Sequence, residues 1–164
     1  MPAPPTSVPR KPVIATSGAK DRFTVFGGEA VTPIVGSEDV GGAYAIWLHE
    51  AAPGVSPPRH VHHREDEVFH ILEEQLLIWC DGQTYEANPG DTAVLPKGLP
   101  HSWLVTSLSP VKLIATVCPG GMERFFPRMA ALGAAHASLS DLEQLTQKFD
   151  IEFIGSPLER ADLI

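Results

Sequence analysis

Cysteine is scarce: Cys80 and Cys118 are the two in 164 residues, and they form no CxxC pair. That argues against a disulfide scaffold and against a thiolate metal site, and leaves both thiols as expected packed side chains. No apolar run approaches the roughly 18 residues that a membrane span needs. The opening Met-Pro-Ala-Pro-Pro-Thr-Ser-Val-Pro-Arg-Lys-Pro lacks the apolar core of a secretion signal, so the expected location is the cytoplasm. Positive charge is also short, with 12 Lys+Arg against 20 Asp+Glu and a formal net charge of −8. A nucleic-acid partner would need a basic stripe, and none is present. A phosphate-cradling glycine loop, a Ser-His-Asp order and an internal repeat are likewise missing.

What the chain does have is turn-formers, Pro 16 and Gly 14, in a sequence that is 43% hydrophobic. This combination suits short strands joined by tight turns around a full core, and the length suits one domain. Residues 1–12 read as a proline-rich arm, and 13–164 as the folded unit. Strand candidates fall at 13–16, 22–26, 31–35, 43–51, 67–73, 76–80, 83–87, 92–95, 101–107 and 112–117. Pro33 suits an edge position, and Asp81-Gly82 marks a type I′ hairpin. Over 43–51 the alternation separates Ala43, Ala45, Trp47 and His49 from Tyr44, Ile46, Leu48 and Glu50, without saying which set faces inward. After Pro119-Gly120-Gly121 the pattern changes. Pro127 to Leu132 suits a helical turn or two. Ser140-Asp141-Leu142-Glu143 is a capping-box pattern that predicts a helix over about 141–148, with Leu142, Leu145 and Phe149 on one face.

The chemistry-bearing stretch runs from Gly54 to His101. His60 and His62 sit at i and i+2, so on a strand both imidazoles leave one face about 7 Å apart. Glu67 follows five residues later, and His101 arrives from a separate strand. His63 has the wrong parity for that face and Glu65 is expected in the turn, which favours Glu67 as the carboxylate of the set. Three imidazoles and a carboxylate suit Fe, Mn, Co, Ni or Cu as divalent ions, with Zn a further option, better than thiolate-seeking metals. If Glu67 faces the metal, Phe69 and Ile71 share its side of the strand. Trp103 and Val105 share the side of His101.

The spacing Gly54-x5-His60-x-His62-x4-Glu67, followed by Gly90-x5-Pro96-x-Gly98-x2-His101, resembles the two motifs of the cupin superfamily. The resemblance implies an all-β, double-stranded β-helix (jelly-roll) barrel with a short C-terminal helical segment. It also implies one metal held by His60, His62, Glu67 and His101, and a homodimer. Two positions depart from the family pattern: Glu74 stands where the first motif has glycine, and Val105 where the second has asparagine. The segment Pro119-Gly120-Gly121-Met122-Glu123-Arg124-Phe125-Phe126, with Phe149 to Pro157, is similar to the tail of small quercetin dioxygenase-like cupins. In such proteins the tail covers one barrel mouth, which would place Phe125 beside the pocket.

The activity implied is a metal-dependent dioxygenase in which Glu67 is the catalytic base and O₂ a co-substrate. Phe69, Ile71, Trp103, Val105 and Phe125 would line a pocket for a flavonol or an enolisable aromatic or diketone molecule. Two other readings fit the same motifs: a metal-dependent isomerase or lyase that consumes no O₂, and a non-enzymatic cupin that binds a small ligand.

Overall fold

A computed structural model describes residues 11–16, 21–25, 27–134 and 138–163. Residues 1–10 of the proline-rich arm lie outside the described residues. The first strands are β1 (Phe23–Val25), β2 (Glu29–Val35), β3 (Ala45–Ala51), β4 (Pro58–His62), β5 (Asp66–Glu73) and β6 (Leu76–Cys80). They are followed by β7 (Gln83–Ala87), β8 (Thr92–Leu95), β9 (His101–Val105) and β10 (Val111–Cys118). Two helices, α1 (Phe125–Ala134) and α2 (Leu139–Lys148), then lead to β11 (Ile151–Pro157). One sheet has the order β1-β2-β3-β10-β5-β8 and the other β11-β4-β9-β6-β7, with antiparallel pairing throughout.

The alternation of the strands decides what faces inward. β3 buries Ala45, Trp47, His49 and Ala51 and leaves Ile46, Leu48 and Glu50 half-buried, which settles the orientation that sequence left open. β10 repeats the pattern with Val111, Leu113, Ala115 and Val117, and β5 with Glu67, Phe69 and Ile71. These inward sets meet in one core. Each large apolar side chain taken from water there contributes about 1.5–3 kcal/mol.

The turns follow the local chemistry. Asp81 and Gly82 take φ 48° and 81°, the two left-handed positions of a type I′ turn between β6 and β7. Glu74 keeps the bend between β5 and β6 by adopting φ 64°, although a non-glycine residue pays about 1 kcal/mol or more there. Pro33 pairs with Trp47 of β3 but lies beyond β1, which pairs only with Glu29–Val31, so β2 is an edge strand at that point.

Several expectations are corrected. Residues 13–16 form no strand. β10 does not complete the strand set, because the tail adds β11 against β4. The cap of α2 is Ser138, whose hydroxyl accepts from the Asp141 backbone N–H at 3.2 Å, so the helix starts before the Ser140 box. Serine followed three residues later by an acidic residue occurs at both places, and spacing alone does not choose. Leu145 and Phe149 are buried as the stripe predicted. Cys118 is exposed rather than packed, because it ends β10 on the outward parity, and both cysteines are free. Among the described residues, no helix is long and apolar enough to cross a membrane.

The tail is pinned to the barrel by Glu123. Its carboxylate accepts from the Ser37 N–H at 2.8 Å, the Ser37 hydroxyl at 2.6 Å and the Gly121 N–H at 2.7 Å. Burial alone would raise this carboxyl, but those donors hold it below its usual value. At Gly120 a Cβ would come within 2.5 Å of the Tyr44 carbonyl oxygen, so the chain can pass there only without a side chain. Together these contacts deliver Met122, Phe125 and Phe126 to the barrel mouth.

Candidate metal centre

Three strands from both sheets bring the four side chains together. His60 and His62 leave the same face of β4, His101 lies on β9 directly across from His60, and Glu67 comes from β5 in the opposite sheet. The second motif is tied to the first: the Gly98 N–H donates to the His62 carbonyl at 2.8 Å, and the Lys97 N–H to the Asp66 carboxylate at 2.9 Å. The ring centroids lie 5.0 Å apart for His60–His62, 4.5 Å for His60–His101 and 5.2 Å for His62–His101. One ligand atom from each of the four residues lies within 4.8 Å of all the others, and all four residues are buried.

The hydrogen bonds say what this cluster lacks. His60 Nδ1 donates to the Pro58 carbonyl at 2.7 Å and His101 Nδ1 to the Leu99 carbonyl at 3.2 Å. A carbonyl can only accept, so these protons are assigned to Nδ1 and each neutral ring turns a bare Nε2 inward. His101 Nε2 then faces Glu67 Oε2 at 3.2 Å, and His62 Nε2 lies 3.8 Å from the same oxygen. Both nitrogens of His62 are buried without a hydrogen-bond partner. Apart from the His101–Glu67 contact, no donor lies among these atoms, and the His62 lone pair is left facing the cluster as a metal ion would require. Metal-binding histidines are typically held in this way, through the other ring nitrogen. The cluster therefore fits a metal site.

Electrostatics agree. Burial, with the neighbouring histidines, pushes His60 down to about 3. Burial also dominates at His62, lowering it to about 4 against the pull of Glu67. At Glu67 burial alone would raise the carboxyl, but the His101 hydrogen bond and the three imidazoles outweigh it and bring it to about 2. Two neutral imidazoles and a carboxylate are thus ready as ligands well below neutral pH.

The sign for stability follows. Between pH 6.5 and about 3–4 the unfolded chain binds protons at His60 and His62 that the folded metal-free chain refuses. Below 4.5 the depressed Glu67 carboxyl adds to the loss as pH falls toward 2. Metal-stripped protein is expected to lose on the order of 3 kcal/mol or more between pH 7 and 4. Thermal unfolding across that range checks it, and a melting temperature indifferent to pH would contradict it.

Beside the cluster lies a small cavity of about 40 Å³ whose wall includes His60, His62 and Glu67. Trp103, Met122, Phe125, Phe126, Ile151 and Phe153 supply its apolar wall. Trp103 and Phe125 are thus at the cavity. Phe69, Ile71 and Val105 are fully buried in the core but do not line it. For Phe69 and Ile71 the reason is distance along β5: parity gives the face, but only the Glu67 end reaches the cavity. Val105 ends β9 opposite Leu76, at the far end of that strand from His101.

Sequence reasoning missed three buried polar residues. Glu65 lies in the connection between β4 and β5 as expected but is buried there, 1% exposed, with Oε2 4.0 Å from His62 Nδ1. Burial raises it to about 7, against the opposing pull of Arg64. Glu29 and His49 form a buried pair at the cavity wall, His49 Nε2 lying 3.1 Å from Glu29 Oε2. His49 carried a signal in the alternation of β3, whereas Glu29 carried none. His63 lies outside the cluster, paired with Glu152 on the surface at 2.9 Å.

Comparison with known proteins agrees with this architecture. Residues 47–117 match the family model described as a cupin domain. The two-sheet barrel is the cupin fold. The sequence is 31% identical over 116 residues to quercetin 2,3-dioxygenase of Bacillus subtilis, covering 70% of this chain and 34% of that protein. It is 27% identical over 67 residues to the HTH-type transcriptional regulator PuuR of Escherichia coli, covering 41% and 36% respectively. The chain thus spans about a third of the length of these curated relatives. Among solved structures, KdgF from Halomonas sp. superposes with a TM-score of 0.62 at 15% identity, over 70% of this chain and 99% of that one. A predicted oxalate decarboxylase from Thermotoga maritima gives 0.59 at 20% identity, over 65% and 99%. At such identities the likeness concerns the fold alone.

Proposed function

We propose that this protein is a metal-dependent dioxygenase acting on a small enolisable carbonyl compound, with His60, His62, Glu67 and His101 holding one divalent Fe, Mn, Co, Ni or Cu ion. The observation that carries the reading is the buried convergence of three imidazoles and a carboxylate, with both His62 nitrogens unpartnered, beside a small and mainly apolar cavity. The 31% identity to a quercetin dioxygenase supports the oxygenase class. The cavity argues for a smaller substrate than a flavonol. Pockets for drug-sized molecules hold about 300–1,000 Å³, against about 40 Å³ here. A short diketone matches that space better than a three-ring molecule.

A bound metal would act as a Lewis acid on the substrate's oxygens and bring O₂ and substrate together. The chain's own groups do the rest. Glu67 reaches the cavity wall and takes the enolic proton, the apolar wall keeps bulk water away from the enolate, and the two carbonyl-bound Nδ1 atoms hold the imidazoles in orientation.

The test is oxygen uptake by protein reconstituted with each metal in turn, with acetylacetone as substrate and quercetin for comparison. One O₂ consumed per diketone cleaved is expected. Turnover of the diketone without oxygen uptake would replace the reading with an isomerase or lyase, and binding without turnover would replace it with a ligand-binding cupin.

A further inference from the structure

The metal cluster is one polar wall of the cavity; the Glu29–His49 pair is a second, and the activity just proposed gives it no task. Glu29 opens β2 and His49 lies on β3, with relative exposures of 3% and 5%. The pair is held in place from the side: His49 packs edge-on against Trp103, centroids 5.3 Å apart, and its Nε2 meets Glu29 Oε2. That contact occupies one carboxylate oxygen. The other, Glu29 Oε1, is fully buried and has no partner. A buried acceptor left unmatched costs free energy unless something in use satisfies it. Apart from the Trp103 indole, the rest of the wall away from the metal cluster offers no side-chain donor, so an occupant of the cavity is placed to supply the missing one.

We infer that Glu29 is a substrate-selecting residue: its free Oε1 accepts a hydrogen bond from a hydroxyl group on a small substrate whose other end offers oxygens to the His60–His62–Glu67–His101 cluster. The substrate class is thereby narrowed from any enolisable carbonyl compound to a short hydroxylated one, with chelating oxygens at one end and a hydroxyl at the other. His49 is a positioning residue that orients the carboxylate. This rests on the metal-bound-substrate reading above.

The probes are two small chelators that differ by one hydroxyl, acetohydroxamate and glycolohydroxamate, titrated into Co(II)-loaded protein and followed by the visible Co(II) absorption. Wild type is expected to bind glycolohydroxamate about tenfold tighter, the gain from one hydrogen bond to an otherwise unmatched buried group. Glu29→Leu should abolish that preference, bringing the ratio of the two affinities to about one. Glu29→Gln, which keeps the shape and can still bond His49, should reduce the preference while folding as wild type does. A merely structural pair would alter stability without altering the ratio of the two affinities. Equal binding of the two probes by wild type, or a preference that survives Glu29→Leu, overturns the inference alone. A protein that takes up no Co(II), or whose Co(II) spectrum responds to neither hydroxamate, overturns the metal-bound-substrate reading and this inference with it.

Discussion

His101→Ala is expected to weaken divalent metal binding by more than about a hundredfold. Outer partners of metal ligands already account for 10–100-fold, and His101 is placed as a ligand itself. Its Nε2 points at Glu67 Oε2 from 3.2 Å, with Nδ1 anchored on the Leu99 carbonyl, so the ring is already oriented toward the cluster. The site is 1% exposed at this residue, and water would enter the gap only as a neutral and weakly held ligand. The variant also leaves the Glu67 carboxylate with less compensation, so some loss of metal-free stability accompanies it. Competition against a chelating dye, together with elemental analysis, measures the effect. His63→Ala is the control: that ring sits on the surface with Glu152 and should leave affinity unchanged. A full equivalent of metal held by His101→Ala at wild-type affinity would remove His101 from the ligand set.

The ligand set was legible because strand parity and motif spacing are both local. His60 and His62 share a face by the two-residue period, and Gly90, Pro96 and Gly98 mark the turn that delivers His101. The barrel was legible for the same reason, since β3, β5 and β10 each alternate along their length. The cavity was not. Parity says which side of β5 faces inward, but only packing across the barrel says that Glu67 reaches open space while Phe69 and Ile71 are sealed behind it. Glu29 shows the limit most clearly. It opens a strand and looks like an edge carboxylate, and its burial follows from the pairing of β2 with β3, which brings it beside His49. β11 escaped notice because Gly155 and Pro157 interrupt its pattern. Its pairing with β4 shifts register twice at that end, between Phe153 and Gly155 and again between Gly155 and Pro157.

Glu67→Gln should retain close to one equivalent of metal and lose about 10²–10⁴-fold in turnover, the usual contribution of a positioned general base. The amide oxygen can still face the metal position, so the three imidazoles and a neutral oxygen remain. What disappears is the acceptor for the substrate's proton. A carboxyl held low by the imidazoles around it is a weak base, so it suits an acidic proton such as that of an enol and does not suit an unactivated alcohol. This is why the proposal names an enolisable substrate. Glu65 is the natural rival, being buried with a raised carboxyl at about 7, a stronger base. It stands on the Nδ1 side of His62 and does not line the cavity, so it has no path to the substrate. Glu65→Gln should therefore change turnover far less than Glu67→Gln. The two variants are compared in metal-loaded form by kcat with acetylacetone, with bound metal measured on the same samples. Undiminished kcat in Glu67→Gln, or a larger loss in Glu65→Gln at equal metal content, would take the base role away from Glu67.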